Sequence, residues 1–242
     1  MSVKDIIVKP IKSSVANEFV KKHHYSGKVV PNSQLHFGCF LNGILGGVMS
    51  FGPSLDKKKV MGLVKDTKFN DFLELNRMAF SDLLPRNSES RCISVSIRLI
   101  KKHYPNIKWI ISFADACQCG DDTIYRASGF LLTQIKQNDS IRINPENGTL
   151  MQRMQAFHLK ICDKWNKWEK LKGNMLRYIY FIDKSKEKDL TVPVLPYSAI
   201  QEKGAGMYLG KKRDLCVGLR ENTNQCTNGG AIPTPTLHLE GV

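Results

Sequence analysis

The 242-residue chain has no apolar run long enough to cross a membrane and does not open on a secretory pattern, so it is expected in the cytosol. Its seven cysteines are odd in number and lack framework spacing, which speaks against a disulfide scaffold and for reduced thiols. Cys117 and Cys119 stand beside Asp121 and Asp122, but the usual zinc spacing is missing and no second cysteine pair completes a tetrahedron. Acidic side chains are scarce. Against 36 Lys and Arg there are only 22 Asp and Glu, and the net charge of +14 favours a polyanionic partner, because each cation placed near a phosphate releases counterions. The length suffices for one sizeable core, with room for an insertion and a tail.

Hydrophobic patterning orders the rest. Val15 to His23 reads as a helix, and Gln34 to Leu41 and Ile44 to Phe51 read as strands joined at Asn42-Gly43, a strong hairpin signal. Phe72 to Phe80 is a further strand. The loop Pro85-Arg-Asn-Ser-Glu-Ser90 opens a helix whose apolar positions include Cys92, Ile93, Ile97 and Ile100, with Ser88 expected as N-cap and Glu89 complementing the helix dipole. Trp109 to Ala114 is an almost unbroken apolar run, as expected of a strand buried on both faces, and it ends in Asp115. A helix containing Tyr125 and strands over 131–136 and 176–182 complete the order. The expected fold is α/β: a GNAT-like mixed central sheet flanked by helices, with a helical insertion before the last strand and an extended C-terminal tail. Residues 1–197 form the expected catalytic domain, 138–174 its insertion and 198–242 the tail. Arg77, Ser90, Asp115 and Tyr125 fall at the ends of consecutive elements, where an α/β sheet collects its ligand.

In the insertion, Met154, Phe157, Ile161, Trp165, Trp168 and Leu171 recur at helical spacing, with Arg153, Lys160, Lys164, Lys167 and Lys170 between them. An amphipathic helix is expected, ended by Gly173-Asn174, whose basic side either tracks DNA phosphates or is simply solvated. Beyond Tyr197 the chain turns Gly- and Pro-containing, with a basic triplet at Lys211-Lys-Arg213.

Lys22-His-His-Tyr-Ser26, Glu74-Leu-Asn-Arg77, Arg86-Asn-Ser-Glu-Ser90, Ser112-Phe-Ala-Asp115, Thr123-Ile-Tyr-Arg-Ala-Ser-Gly-Phe130 and Arg177-Tyr-Ile-Tyr-Phe181 together resemble the Mom family of phage DNA-modification proteins. The resemblance spans roughly the first 200 residues. It implies a GNAT-like enzyme, phage-encoded and working in the host cytoplasm, that converts the exocyclic amine of adenine in double-stranded DNA to a carbamoylmethyl derivative and so shields the DNA from restriction. A GNAT-type acyltransferase acting on a protein, a tRNA or a small amine is the alternative, and a non-catalytic basic DNA-binding protein is a third reading.

With the resemblance in hand, His24 and Tyr25 become candidates for proton transfer or for holding the target base, a tyrosine ring being able to stack on a flipped adenine. Without it, a histidine after a helix is an ordinary cap. Asp115 is the candidate proton acceptor for the adenine amine, and the resemblance assigns Tyr125 the role of proton donor to the leaving group. Asn76, Arg77, Asn87, Ser88 and Ser90 are assigned to the group donor. Arg77 sits on a strand whose strict alternation would place it on the face of Leu75, opposite Glu74 and Asn76, unless a bulge intervenes; it contacts donor or substrate, or pairs with Asp115. The loop 86–90 has no glycine where GNAT enzymes cradle a pyrophosphate, which disfavours ordinary coenzyme A binding. A glycine-derived donor, an aminoacyl-tRNA or an acyl-CoA is compatible with the implied product. An iron route through His23, His24 and Asp115, two histidines and one carboxylate, stays open beside them.

Overall fold

The computed structural model describes residues 2–24, 26–116 and 123–204. Its main sheet has the strand order β1-β2-β3-β4-β5-β10-β6. In chain order the strands and helices are β1 (Ile7–Pro10), α1 (Ser13–His23), β2 (Leu35–Leu41), β3 (Ile44–Gly52), α2 (Lys57–Met61), β4 (Phe72–Phe80), α3 (Ser88–His103), β5 (Trp109–Asp115), α4 (Thr123–Ala127) and β6 (Leu131–Gln137). The chain continues through β7 (Ile141–Ile143), β8 (Leu150–Gln152), α5 (Arg153–His158), α6 (Cys162–Trp165), β9 (Glu169–Lys170), β10 (Asn174–Phe181) and α7 (Ser198–Glu202). The β4–β5 pair is parallel and bridged by α3, while the other neighbours in the main sheet run antiparallel.

Local sequence explains the elements that were expected. Asn42 and Gly43 both take positive φ, 51° and 79°, the backbone a tight two-residue hairpin requires. The apolar stripe of α3 lays Cys92, Ile93, Ile97 and Ile100 on one side of the sheet, against Met49, Phe51, Leu75, Ile110 and Tyr178. On the opposite side α1 packs Ala16, Phe19 and Val20 onto Val48 and Ala79. Farther along that side, Val60 and Val64 cover Phe72, Trp109, Ile111, Ile179 and Phe181. Sequence patterning had not predicted β1 or α2.

Three local expectations are corrected. The N-cap of α3 is Asn87, not Ser88; Asn87 adopts the left-handed conformation (φ 70°), which asparagine tolerates better than most residues. The insertion is not one helix. It forms a small sheet of order β8-β7-β9 with two short helices, and the chain reverses between them at Lys160, whose φ is 57°. Ala156, Trp165 and Trp168 form its own core, so the tryptophans are buried while Met154 and Phe157 are exposed. Finally, β5 is not buried on both faces along its length, because Phe113 is 42% exposed. At the other end of the domain, folded structure continues past Tyr197: Ile200 of α7 is buried in the main core.

Candidate active site

Two irregularities of β4 create the cleft. Ser50 faces Arg77 and Phe51 faces Leu75, so Asn76 is an extra residue, a β-bulge. The bulge separates Leu75 and Arg77, which strict alternation would put on one face: Leu75 enters the core under α3, and Arg77 stands on the α1 side, in line with Ala79. Pairing of β4 with β5 covers only Phe72–Trp109, Leu73–Ile110 and Glu74–Ile111. The parallel ladder therefore stops just before the bulge, and a gap opens between the two strands toward their carboxyl ends.

The β4 arm of this gap is tied to the loop after α1. Arg77 donates from Nε to the Lys28 carbonyl at 3.0 Å and from Nη1 to its neighbour Asn76 at 3.0 Å. The His24 Nδ1 accepts from the Ser26 N–H at 3.1 Å and lies 2.8 Å from the Ser26 hydroxyl. Burial, reinforced by the charge of Arg77, pushes the His24 pKa down to about 4, so the ring is neutral near pH 7. Asn76 is buried and accepts from the Ser33 hydroxyl at 3.1 Å. Gly52 keeps this corner tight: a Cβ there would meet the Asn32 carbonyl and the Asn76 side chain, each at 2.7 Å. Glu74 stands on the same face as Arg77. Its carboxyl is raised above the usual range by burial, with Ser54, Asn76 and Arg77 pulling the other way. Farther across the sheet, His36 Nδ1 lies 2.8 Å from the Ser50 hydroxyl, while its buried Nε2 has no partner among the described residues.

The β5 arm holds Asp115 and Tyr125. Asp115 is the last residue of its strand and is 6% exposed. Tyr125 hydrogen-bonds Ser112 at 2.8 Å and stacks on Tyr178, ring centroids 4.3 Å apart. The loop before α3 is also ordered by its own side chains. Ser88 donates its hydroxyl hydrogen to the Pro85 carbonyl, and Ser90 to the Asn87 carbonyl at 3.2 Å. Those hydroxyl hydrogens are committed, so an anion at this helix start would be held by backbone N–H groups and Arg86 rather than by donation from Ser88 or Ser90.

The structure thus gathers His24, Asn76 and Arg77 on one arm, Asp115 and Tyr125 on the other, and Asn87, Ser88 and Ser90 at the start of α3. Tyr25 lies outside the described residues, as do Cys117, Cys119, Asp121, Asp122 and the Lys211-Lys-Arg213 triplet. His23 and His24 have different surroundings: His23 lies against Phe19 and feels Asp82, whereas His24 lies beside Ser26 and Arg77. Among the described residues no group of three or more His, Cys, Asp or Glu is placed to hold a metal ion, so the set His23, His24 and Asp115 is not assembled. Arg153, Lys160, Lys164, Lys167 and Lys170 are all exposed, but they belong to different elements and turns rather than one helix face, and Lys164 pairs with Glu146 at 2.7 Å. Sequence reasoning missed the half-buried Glu74 and the buried His36 as titratable groups. A carboxylate within the apolar spacing of Phe72 to Phe80 was the available signal for the first.

A mixed sheet with a bulged, splayed pair of parallel strands and a helix start at the mouth of the gap is a GNAT-like fold. In solved structures, likeness extends to an IAA acetyltransferase from Bacillus cereus (10% identity, 73% of this chain and 99% of that chain, TM-score 0.42). It extends also to a probable acetyltransferase from Staphylococcus epidermidis (13% identity, 73% and 98%, TM-score 0.45). The model of the Mom protein family matches residues 5–199, and the chain belongs to that family. It is 32% identical over 203 residues to the methylcarbamoylase Mom of Escherichia phage Mu, covering 80% of this chain and 84% of that protein. No helix among the described residues is long and apolar enough to cross a membrane.

Proposed function

We propose that this chain modifies the exocyclic amine of adenine in double-stranded DNA, adding a carbamoylmethyl group, and that in an infected host cell the modification protects phage DNA from restriction. The observation that carries this reading is the pairing of family membership with a cleft whose two arms present complementary chemistry. Asp115, buried at the end of β5, takes the proton the amine must lose, and exclusion of water by a bound base would raise its basicity. Tyr125, oriented by Ser112 and Tyr178, donates a proton to the leaving group. His24, neutral near pH 7 and adjoining the charge of Arg77, is a second acceptor on the facing arm.

The donor is glycine-derived, an aminoacyl-tRNA or an acyl-CoA; transfer of a glycyl group from it, with the leaving hydroxyl or thiol protonated by Tyr125, gives a glycyl amide, an isomer of the carbamoylmethyl product, and the two nitrogens must then exchange carbons to reach that product. With an acyl-CoA donor, the pantetheine arm would lie in the gap where the β4–β5 ladder stops and its phosphates at the N-terminus of the 16-residue helix α3, where Asn87 makes the left-handed turn. Arg153, Lys160, Lys164, Lys167 and Lys170 supply phosphate contacts to the DNA. Nucleoside mass spectrometry of DNA from cells expressing the chain tests the proposal. A heavier deoxyadenosine, together with resistance at adenine-containing restriction sites, is expected; an unmodified profile with soluble protein present refutes it.

A further inference from the structure

The face of the sheet occupied by Arg77 carries an aromatic side chain that the core does not use. Phe113 lies in β5, an interior strand whose first four residues are buried, yet it is 42% exposed. The helix α1 covers Val48 and Ala79, and the α2 region covers Trp109, Ile111 and Ile179; neither apolar cluster includes Phe113. Strand alternation puts Phe113 on the face of Ile111 and Asp115, about 7 Å from the latter along the strand.

Its cross-strand neighbour is Arg177, directly opposite in register on β10. Arg177 is built into place. Its Nε donates to the Thr133 hydroxyl at 2.9 Å and its Nη2 to the Thr133 carbonyl at 3.1 Å, fixing the guanidinium plane. Of the five N–H donors a guanidinium carries, these use two, and the other three have no partner among the described residues. Half-burial slightly disfavours its charged form, so an anion brought to it meets a poorly solvated cation. An exposed ring, a fixed guanidinium with free donors and a carboxylate two residues along one strand thus share one face of the open end of the cleft.

We infer that Phe113 is the platform on which the target adenine stacks once it leaves the duplex, and that Arg177 holds a phosphate flanking that nucleotide. The inference rests on the adenine-modifying reading above. A base inside the duplex cannot present its exocyclic amine to a buried carboxylate, so it must be extruded, and an extruded base needs a surface to replace its lost stacking. A phenylalanine offers a π-face to any base, and the guanidinium fork suits a phosphodiester. The chain's charge of +14 complements the polyanion around both.

Phe113→Ala, Phe113→Leu, Phe113→Tyr and Arg177→Gln in the full chain test the assignment through two readouts. The first is modified deoxyadenosine in DNA from expressing cells. The second is the affinity of the purified proteins for a duplex carrying 2-aminopurine opposite an abasic site, followed by its fluorescence. Stacking on an aromatic ring typically changes binding by about fivefold to a hundredfold. Phe113→Ala and Phe113→Leu should lose that much in both readouts while melting like the parent, and Phe113→Tyr should retain most of the signal. Arg177→Gln should weaken the duplex and lower the slope of log affinity against log salt by about one. Parental behaviour of Phe113→Leu would show that apolar bulk rather than a π-face is used, and parental behaviour of Phe113→Ala that the ring touches no base; either overturns the assignment. If the parent itself leaves DNA unmodified, the adenine-modifying reading fails. The platform is then judged by the 2-aminopurine titration, where equal affinity of parent and Phe113→Ala overturns it and a lower affinity of Phe113→Ala sustains it.

Discussion

Replacing Tyr125 by phenylalanine separates the chemistry of its hydroxyl from the packing of its ring. The hydroxyl meets Ser112 at 2.8 Å, both residues being buried, and Tyr125 is the partner of the Ser112 hydroxyl among the described residues. The ring, stacked on Tyr178 at 4.3 Å and set edge-on to Phe130 at 5.4 Å, is unchanged in Tyr125→Phe. A stranded buried hydroxyl costs about 1–3 kcal/mol. For a chain of this length each kcal/mol lowers the melting midpoint by about 2–4 °C, so a fall of roughly 2–12 °C is expected. Adding Ser112→Ala removes the stranded Ser112 hydroxyl, and the double variant should regain the part of the lost stability that this hydroxyl accounts for. Activity should not follow. Loss of a catalytic proton donor costs about a hundredfold or more, in the single and the double variant alike. Thermal melts of the purified proteins, set beside the modified fraction of deoxyadenosine in DNA from expressing cells, give both quantities. Parental modification by Tyr125→Phe, or recovery of activity together with stability in the double variant, would show that the hydroxyl pair holds the fold and runs no reaction.

The His24 ring, with its pKa pushed from 6.5 to about 4, makes the folded state refuse a proton that the unfolded chain accepts. Its contribution to stability is therefore full above about pH 6.5 and is lost as pH falls toward 4, with a slope below the one-proton limit of about 1.4 kcal/mol per pH unit because the ring is partly solvated. Denaturant titrations across that window should show the His24→Asn variant with a flatter dependence; an unaltered slope would assign the pH effect to other groups. Changing Lys160, Lys164 and Lys167 to glutamine should weaken DNA binding at any sequence and reduce the salt slope by roughly 0.9 per lost phosphate contact. Lys164, already held by Glu146, should contribute least, and an unchanged slope would assign all three to solvent.

The elements set by local signals could be read from the chain. Asn42-Gly43 announces its hairpin, the α3 stripe announces its helix, and Asp115 at the end of an apolar run marks the mouth of the sheet. What stayed hidden depends on pairing between distant strands. The bulge at Asn76 exists only in the register against Ser50 and Phe51, and without it Arg77 would share the face of Leu75. The exposure of Phe113 depends on where α1 and the α2 region stop, which no window around residue 113 contains. In the insertion, the spacing of Phe157, Ile161, Trp165 and Trp168 imitates one helix, yet Lys160 breaks it and only the tryptophans of that set are buried. The strand β1 is short and mostly exposed and ends in proline, so it offered little periodic signal.

The way the insertion is attached has a consequence for altering this protein. Asn138 donates its backbone N–H to the Gly173 carbonyl at 2.9 Å, its side-chain amide reaches the carbonyls of Ile141 and Leu171, and Gln137 faces Asn174 in the ladder. The segment leaves and re-enters the main sheet at one point and carries its own small core. It behaves as a cassette. Because its ends already meet, a short turn could replace it at little cost in chain entropy, and a differently charged segment could be grafted in its place without shifting the β6–β10 register. The charge of this face could then be altered independently of the groups in the cleft.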